Sequence, residues 1–306
     1  FTMAQVADGP PGFANCMKFT TTTADTSIGA GEYLIAETRF EGQDLQQLKK
    51  GTASAEQVTV SFYVKGNAAA LYVCELYDTD NSRSITQSFA VTTSWNRIEL
   101  TFAADTSDPL NDDNAISLAL NFWLHAGATF TGGTFAVNTW NDQTAANRCA
   151  VDGFTSIFDA TSRTFFLTGV QMEIGATATE FESRSYGEEL ALCQRYLQSS
   201  WSQGSAIGSA ISQTSNAVQQ SWGSSNVGSV AGQAIMLPVT MRAIPTLVTY
   251  DEALNTGKVT TLNSGAGPTN DVTVNQNYTT TNLFQVRLFN NSVYGMTFAY
   301  TLTAEL

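Results

Sequence analysis

The sequence predicts an all-β protein: an N-terminal jelly-roll β-sandwich over residues 1–183, one short connecting helix within 184–200, and a smaller C-terminal β-sandwich over 201–306. Three observations predict it. Short runs rich in β-branched and aromatic residues recur along the chain, separated by clusters of Asp, Asn, Gly and Pro, which is the signature of strands and turns. Two of these runs alternate apolar and polar residues, as strands with one buried face do. Apolar residues make up 43% of the chain and charged residues only 13%, against about 25% charged in an average globular protein. Ser, Thr, Asn, Gln and Gly fill the difference, which suits sheets with weakly charged exteriors.

The strand runs of the first domain are, in order, "CMKFTTTT", "EYLIAETRF", "QVTVSFYVKG", "ALYVCELYD", "SITQSFAV", "WNRIELTFAA", "ISLALNFWLH" and "RTFFLTGVQMEI". In the third, Val58, Val60, Phe62 and Val64 share one face, and Thr59, Ser61, Tyr63 and Lys65 the other. In the seventh, Ile116, Leu118, Leu120, Phe122 and Leu124 oppose Ser117, Ala119, Asn121, Trp123 and His125. About eight strands with one buried face each describe a two-sheet jelly roll. The run from His125 to Arg163 is rich in Gly, Asn and Asp and reads as an extended loop holding no more than one short strand; loops of that length are functional or packed against something.

The helix has a readable start. Ser185 can cap it, with Glu188 three positions on as the capping-box partner. Leu190, Cys193 and Leu197 fall on one side, and Leu192 and Tyr196 on a second. A short helix that is apolar on two sides needs two-sided burial, so these five residues are expected to form a wedge between the sandwiches; packing on a single sheet edge is the alternative. After Gln198 the chain turns Ser/Gly/Gln-rich, yet Trp201, Ile207, Ile211, Val218 and Trp222 are too apolar for a linker and predict polar strands and loops. Further strands follow in "IMLPVTMRAIPTLVTY", "GKVTTLN", "DVTVNQNY", "NLFQVRLFNN" and "YGMTFAYTLTAEL", with Pro238 and Pro245 marking an edge or crossover.

Charge and composition exclude several functions. Fourteen Lys+Arg against 27 Asp+Glu give a formal net charge of −13. A nucleic-acid partner needs clustered cations, and an anionic membrane surface is disfavoured on the same ground. The charge-free run Asn114–Asn141 is too polar to insert in a membrane. No signal peptide is visible, and a start at Phe1 predicts a processed or truncated N-terminus. Cys16, Cys74, Cys149 and Cys193 have no paired spacing and read as buried free thiols of a chain folded in a cytoplasm. No phosphate loop, nucleophile elbow, zincin or dinucleotide motif occurs. One histidine and four scattered cysteines build neither a catalytic triad nor a zinc site, so no enzyme, cofactor or metal is expected. Asp78, Asp80, Asp105, Asp108, Asp112 and Asp113 lie in turn segments, where Asp is common for conformational reasons.

The segment "FFLTGVQMEIGATATEFESRSYGEELALCQRYLQ" resembles one that recurs in virion surface proteins of tailed bacteriophages. Upstream, "FEGQDLQQLKKGTASAEQVTVSFYVKG" and "TSWNRIELTF" resemble a carbohydrate-binding-module-like jelly roll; downstream, "LPVTMRAIPTLVTY" resembles the start of a fibre-type C-terminal β-domain. The resemblance implies a tail-fibre, head-fibre or decoration protein on the virion surface, assembled in the host cytoplasm. It implies a homo-oligomer, with a trimer favoured, that contacts other virion proteins and host glycans. A fibre or adhesion module is the leading expectation, a capsid decoration protein the second, and a non-viral carbohydrate-binding module the third. Jelly rolls of this kind often hold calcium with an Asp in the last strand; "FFLTGVQMEIG" has none.

Sugar binding needs aromatic faces and polar side chains together. The row Asn121, Trp123 and His125 offers both, with Tyr63 and Trp140 joining if their segments lie near. The competing reading is that the long loop, or a neighbouring subunit, covers this row.

Overall fold

The computed structural model describes all residues except 213–214, 222–231, 264–267, 275 and 289–292, and for 263 and 276 the backbone alone. By backbone contacts the chain divides into two compact units, Phe1–Ser183 and Arg184–Glu305.

Alternation builds the first unit. Its strands are β1 (Thr2–Val6), β2 (Cys16–Thr20), β3 (Tyr33–Glu41), β4 (Val58–Gly66), β5 (Ala70–Asp78), β6 (Arg83–Val91), β7 (Asn96–Phe102), β8 (Ile116–Ala126), β9 (Asn141–Asp142) and β10 (Thr164–Ile174). They form two five-stranded sheets, ordered β1-β2-β10-β4-β7 and β3-β8-β5-β6-β9, with antiparallel neighbours throughout. This is the expected jelly-roll sandwich. Val60, Phe62 and Val64 of β4 meet Leu118, Leu120, Phe122 and Leu124 of β8 in one core, which Tyr72, Phe89 and Phe165 complete. Edge-on aromatic pairs such as Phe62–Phe122, with centroids 4.8 Å apart, fill the space between the sheets.

Strand β8 is buried on both faces, which its alternation alone does not reveal. Ser117, Ala119, Asn121, Trp123 and His125 are all 2% exposed or less. The loop from Gly127 to Arg163 meets Trp123 through Phe130 and Arg148, and His125 through Ser156 and Phe158; it carries a short helix α1 (Ala128–Thr131) and strand β9. A second apolar cluster forms there from Val73, Trp123, Ala126 and Cys149, with Phe130 and Phe135 from the loop packed against it. Gly127 permits the close packing of this loop, since a Cβ there would lie 2.1 Å from the Gly29 carbonyl.

In the second unit, the helix α2 (Tyr186–Gln194) starts as the sequence predicts, with the reciprocal Ser185–Glu188 capping box in place. Its end and its burial differ from expectation. The helix stops at Gln194, and Leu197 lies instead on strand β11 (Leu197–Ser199). None of its residues is buried: Leu192 and Cys193 are exposed and Leu190 is half-buried. Tyr196, past its end, is half-buried, and Leu197 is exposed. Two-sided burial therefore does not hold these five residues. The cap secures one end, and backbone bonds from Arg242 N to Arg195 O and from Ala304 N to Tyr196 O anchor the segment that follows.

The remaining strands are β12 (Val218–Ser221), β13 (Ala234–Met236), β14 (Thr246–Tyr250), β15 (Lys258–Asn263), β16 (Thr269–Thr273), β17 (Gln276–Thr279), β18 (Leu283–Arg287) and β19 (Val293–Thr303). The long β19 pairs with β11, β12, β14 and β15, and a three-stranded sheet β13-β18-β17 completes the smaller sandwich. Phe284, Val286, Met296, Phe298 and Leu302 share its core. Trp201 and Ile211 are buried against Ala299, whereas Ile207 is 48% exposed and Trp222 lies outside the described residues. The segment bracketed by Pro238 and Pro245 is not a strand but a crossover between β13 and β14, fixed by the buried Met241. Among the described residues no helix is long and apolar enough to cross a membrane. All four cysteines are free; Cys16, Cys74 and Cys149 are buried as expected, and Cys193 is not.

Candidate functional site

The expected sugar-binding row is a buried polar cluster. Glu75 on β5, fully buried, accepts from Asn121 Nδ2 at 3.0 Å and Trp123 Nε1 at 2.8 Å through one oxygen. Arg148, on the covering loop, grips both carboxylate oxygens, with Nε at 2.7 Å and Nη2 at 2.5 Å. Its guanidinium lies 4.5 Å from the Trp123 ring centroid. Asn121 and Trp123 therefore hold the loop down and present nothing to a ligand. Trp140 is also committed: Nε1 donates to the Ala103 carbonyl at 2.7 Å, and its ring faces Lys50 Nζ at 5.2 Å. Tyr63 stands on the outer face of the other sheet, 5.2 Å from Phe13 and beside the β-bulge at Gly169. The five residues do not form one site.

His125 does reach an opening. A hollow of ≈ 470 Å³ is lined by Thr23, Asp25, Glu32, Tyr33, His125 and Phe158, among others. Four chain segments converge there. Tyr33 opens β3, with Leu34 opposite His125 near the end of β8. Asp25 N bonds the Phe158 carbonyl at 2.9 Å, and Gly127 N bonds the Glu32 carbonyl at 2.8 Å. The walls are thus built by backbone bonds.

The Tyr33 ring is 59% exposed, braced by Phe130 at 5.3 Å and Trp123 at 5.9 Å. Glu32 Oε2 accepts from Gly29 N at 2.7 Å and Asp25 Oδ1 from Ser27 N at 2.9 Å. Neither carboxylate has a cationic partner among the described residues. His125 is 2% exposed, and its Nδ1 lies 2.7 Å from Ser156 Oγ. That oxygen already accepts from Phe158 N at 3.0 Å. The assignment that uses every group sends the Ser156 proton to Nδ1, so Nε2 carries the imidazole proton and has no protein acceptor among the described residues. The hollow therefore combines aromatic faces, carboxylate acceptors, hydroxyls and one N–H donor. A second hollow of ≈ 410 Å³, bordered by Leu45, Lys49, Thr52 and Pro109, has no aromatic ring.

Burial lowers the His125 pKa; Glu32 and Asp25 push it up without overcoming burial. The unfolded chain thus takes up the proton first, and the stability this residue contributes falls as pH drops below 6.5. As the chain's one histidine, it gives a single set of imidazole NMR signals. Its midpoint is expected below 6.5; a midpoint above that value would show the carboxylates in control.

Of this set the sequence singled out only His125. Tyr33 stood at the head of "EYLIAETRF", but nothing local marks it as a neighbour of residues 125 and 158.

No protein-family model and no curated protein matches the chain. Solved structures do. A family 11 carbohydrate-binding module from Clostridium thermocellum, in complex with a β-1,3-1,4-mixed-linked tetrasaccharide, is 14% identical; the match covers 58% of this chain and 84% of the module, with a TM-score of 0.29. A family 30 carbohydrate-binding module is 10% identical over 61% of this chain and 82% of its own, with a TM-score of 0.31. An arabinose-bound α-L-arabinofuranosidase is 11% identical over 63% of this chain, with a TM-score of 0.32, and the chain spans 25% of that enzyme. At these scores none of them bears on the chemistry of the hollow.

Proposed function

We propose that the first unit is a glycan-binding module and that the hollow beside Tyr33 is its site. One observation carries the reading: an exposed aromatic ring shares an opening with two carboxylates and an imidazole donor. Sugars present C–H faces that stack on such rings and hydroxyls that bond such acceptors. The His125–Ser156 pair has no carboxylate orienting its Nε2 among the described residues, so the reading is binding without catalysis.

A glycan array with the whole chain tests it. Tyr33→Ala is expected to weaken binding by about tenfold or more, the loss of roughly 1.4 kcal/mol of contact. Trp95→Ala, on the outer face of the other sheet, is expected to bind as the parent does. The reading is wrong if no glycan binds, or if Tyr33→Ala binds unchanged.

The finer placement is a fibre or adhesion module of a homo-oligomer on a bacteriophage virion, contacting other virion proteins and host glycans. The resemblance of residues 165–198 supports it. Antibody labelling of particles separates the cases: tails for a fibre, heads for a decoration protein, and no particle at all against either.

A further inference from the structure

We propose that the hollow selects glycans bearing a free ammonium group, such as deacetylated hexosamines, over neutral and acidic sugars; this deepens the glycan-binding reading and rests on it. The argument is electrostatic. Asp25 and Glu32 both line the opening, each with a single backbone N–H donor and no cation. Among the described residues no Lys or Arg lines it. The open face of Tyr33 adds an attractive surface for a cation. A carboxylate, sulfate or phosphate on the ligand would face two like charges with nothing to offset them.

His125 adds a polar contact to the same hollow: with Nδ1 held by Ser156, Nε2 carries a proton that no protein group among the described residues accepts. A sugar hydroxyl can accept that proton while an ammonium on the same ring meets the carboxylates. The N-acetyl form loses the charge and adds bulk, so acetylation of the sugar is the modification the hollow would detect.

Calorimetric titration of the whole chain tests this with four probes: a glucosamine tetramer, its N-acetylated form, cellotetraose and a tetragalacturonate. The glucosamine tetramer is expected to bind about tenfold tighter than the two neutral probes, the worth of two partly exposed ion pairs, and the galacturonate not at all. In the Asp25→Asn/Glu32→Gln double variant that advantage is expected to vanish while cellotetraose binding persists. A Glu37→Gln/Glu56→Gln control removes the same charge elsewhere and should leave the advantage intact. Equal binding of glucosamine and neutral tetramers overturns the proposal and leaves glycan binding standing. So does an advantage that survives in the double variant, because attraction to the chain's general negative charge would then explain it. Failure of all four probes, with no effect of Tyr33→Ala on any of them, overturns the glycan-binding reading itself.

Discussion

Arg148→Met is expected to destabilise the first unit by about 3–5 kcal/mol, the usual cost of leaving a buried charge without its partner. Glu75 is fully buried in the middle of β5, and among the described residues Arg148 is the only cation that touches it. Asn121 and Trp123 donate to the same carboxylate, but neither is charged. Met retains much of the apolar stem that packs beside Trp123 and Tyr77, so the loss isolates the charge. Adding Glu75→Gln is expected to recover a large part of it, because a neutral amide can still accept from Trp123. Hydrogen exchange of the β5 and β8 amides reports on this unit by itself, whatever the second unit does. Unchanged protection in Arg148→Met would sink the claim that this pair fastens the loop.

The same pair shows what sequence could and could not reveal. Period-two alternation correctly assigned both faces of β4 and β8, since side-chain direction in a strand is local. It did not reveal what covers the polar face of β8. Glu75 and Arg148 lie 73 positions apart, and the covering segment has no periodicity to announce it. Trp123 and Asn121 look alike whether they face a sugar or a buried carboxylate. The Ser185–Glu188 cap was legible because both partners sit within one turn. The helix end was not, because Leu197 continues an apolar pattern while its backbone pairs with β19. Strand pairing at that distance overrides a weak local preference. The hollow draws on four separate segments, so only His125, the one histidine, drew notice.

Lys50→Met is expected to cost a similar amount, about 3–5 kcal/mol, and to raise the pH of acid unfolding. Lys50 Nζ meets Asp78 Oδ2 at 2.6 Å and Asp105 Oδ2 at 3.1 Å, and the carbonyls of Asp108 and Ser107 at 2.8 and 3.2 Å. Its side chain is 6% exposed and those of the two aspartates 0% and 4%. The Asp-rich turns thus converge on an ammonium ion. Burial pushes the Asp105 carboxyl up, but hydrogen bonds from Arg83, Ser107 N and Lys50 outweigh it and hold it below 3.8. A carboxyl depressed on folding contributes stability that is complete above its unfolded value and is lost as pH falls through the folded one. Removing Lys50 removes one of the groups that depress it and leaves less stability for acid to overcome, so acid unfolding, followed by circular dichroism, should begin at higher pH. Lys50→Arg should recover only part of the loss, since a planar fork does not suit four oxygens gathered around one point. If Lys50→Met unfolds at the parental pH and denaturant midpoint, the cluster is not what secures these turns.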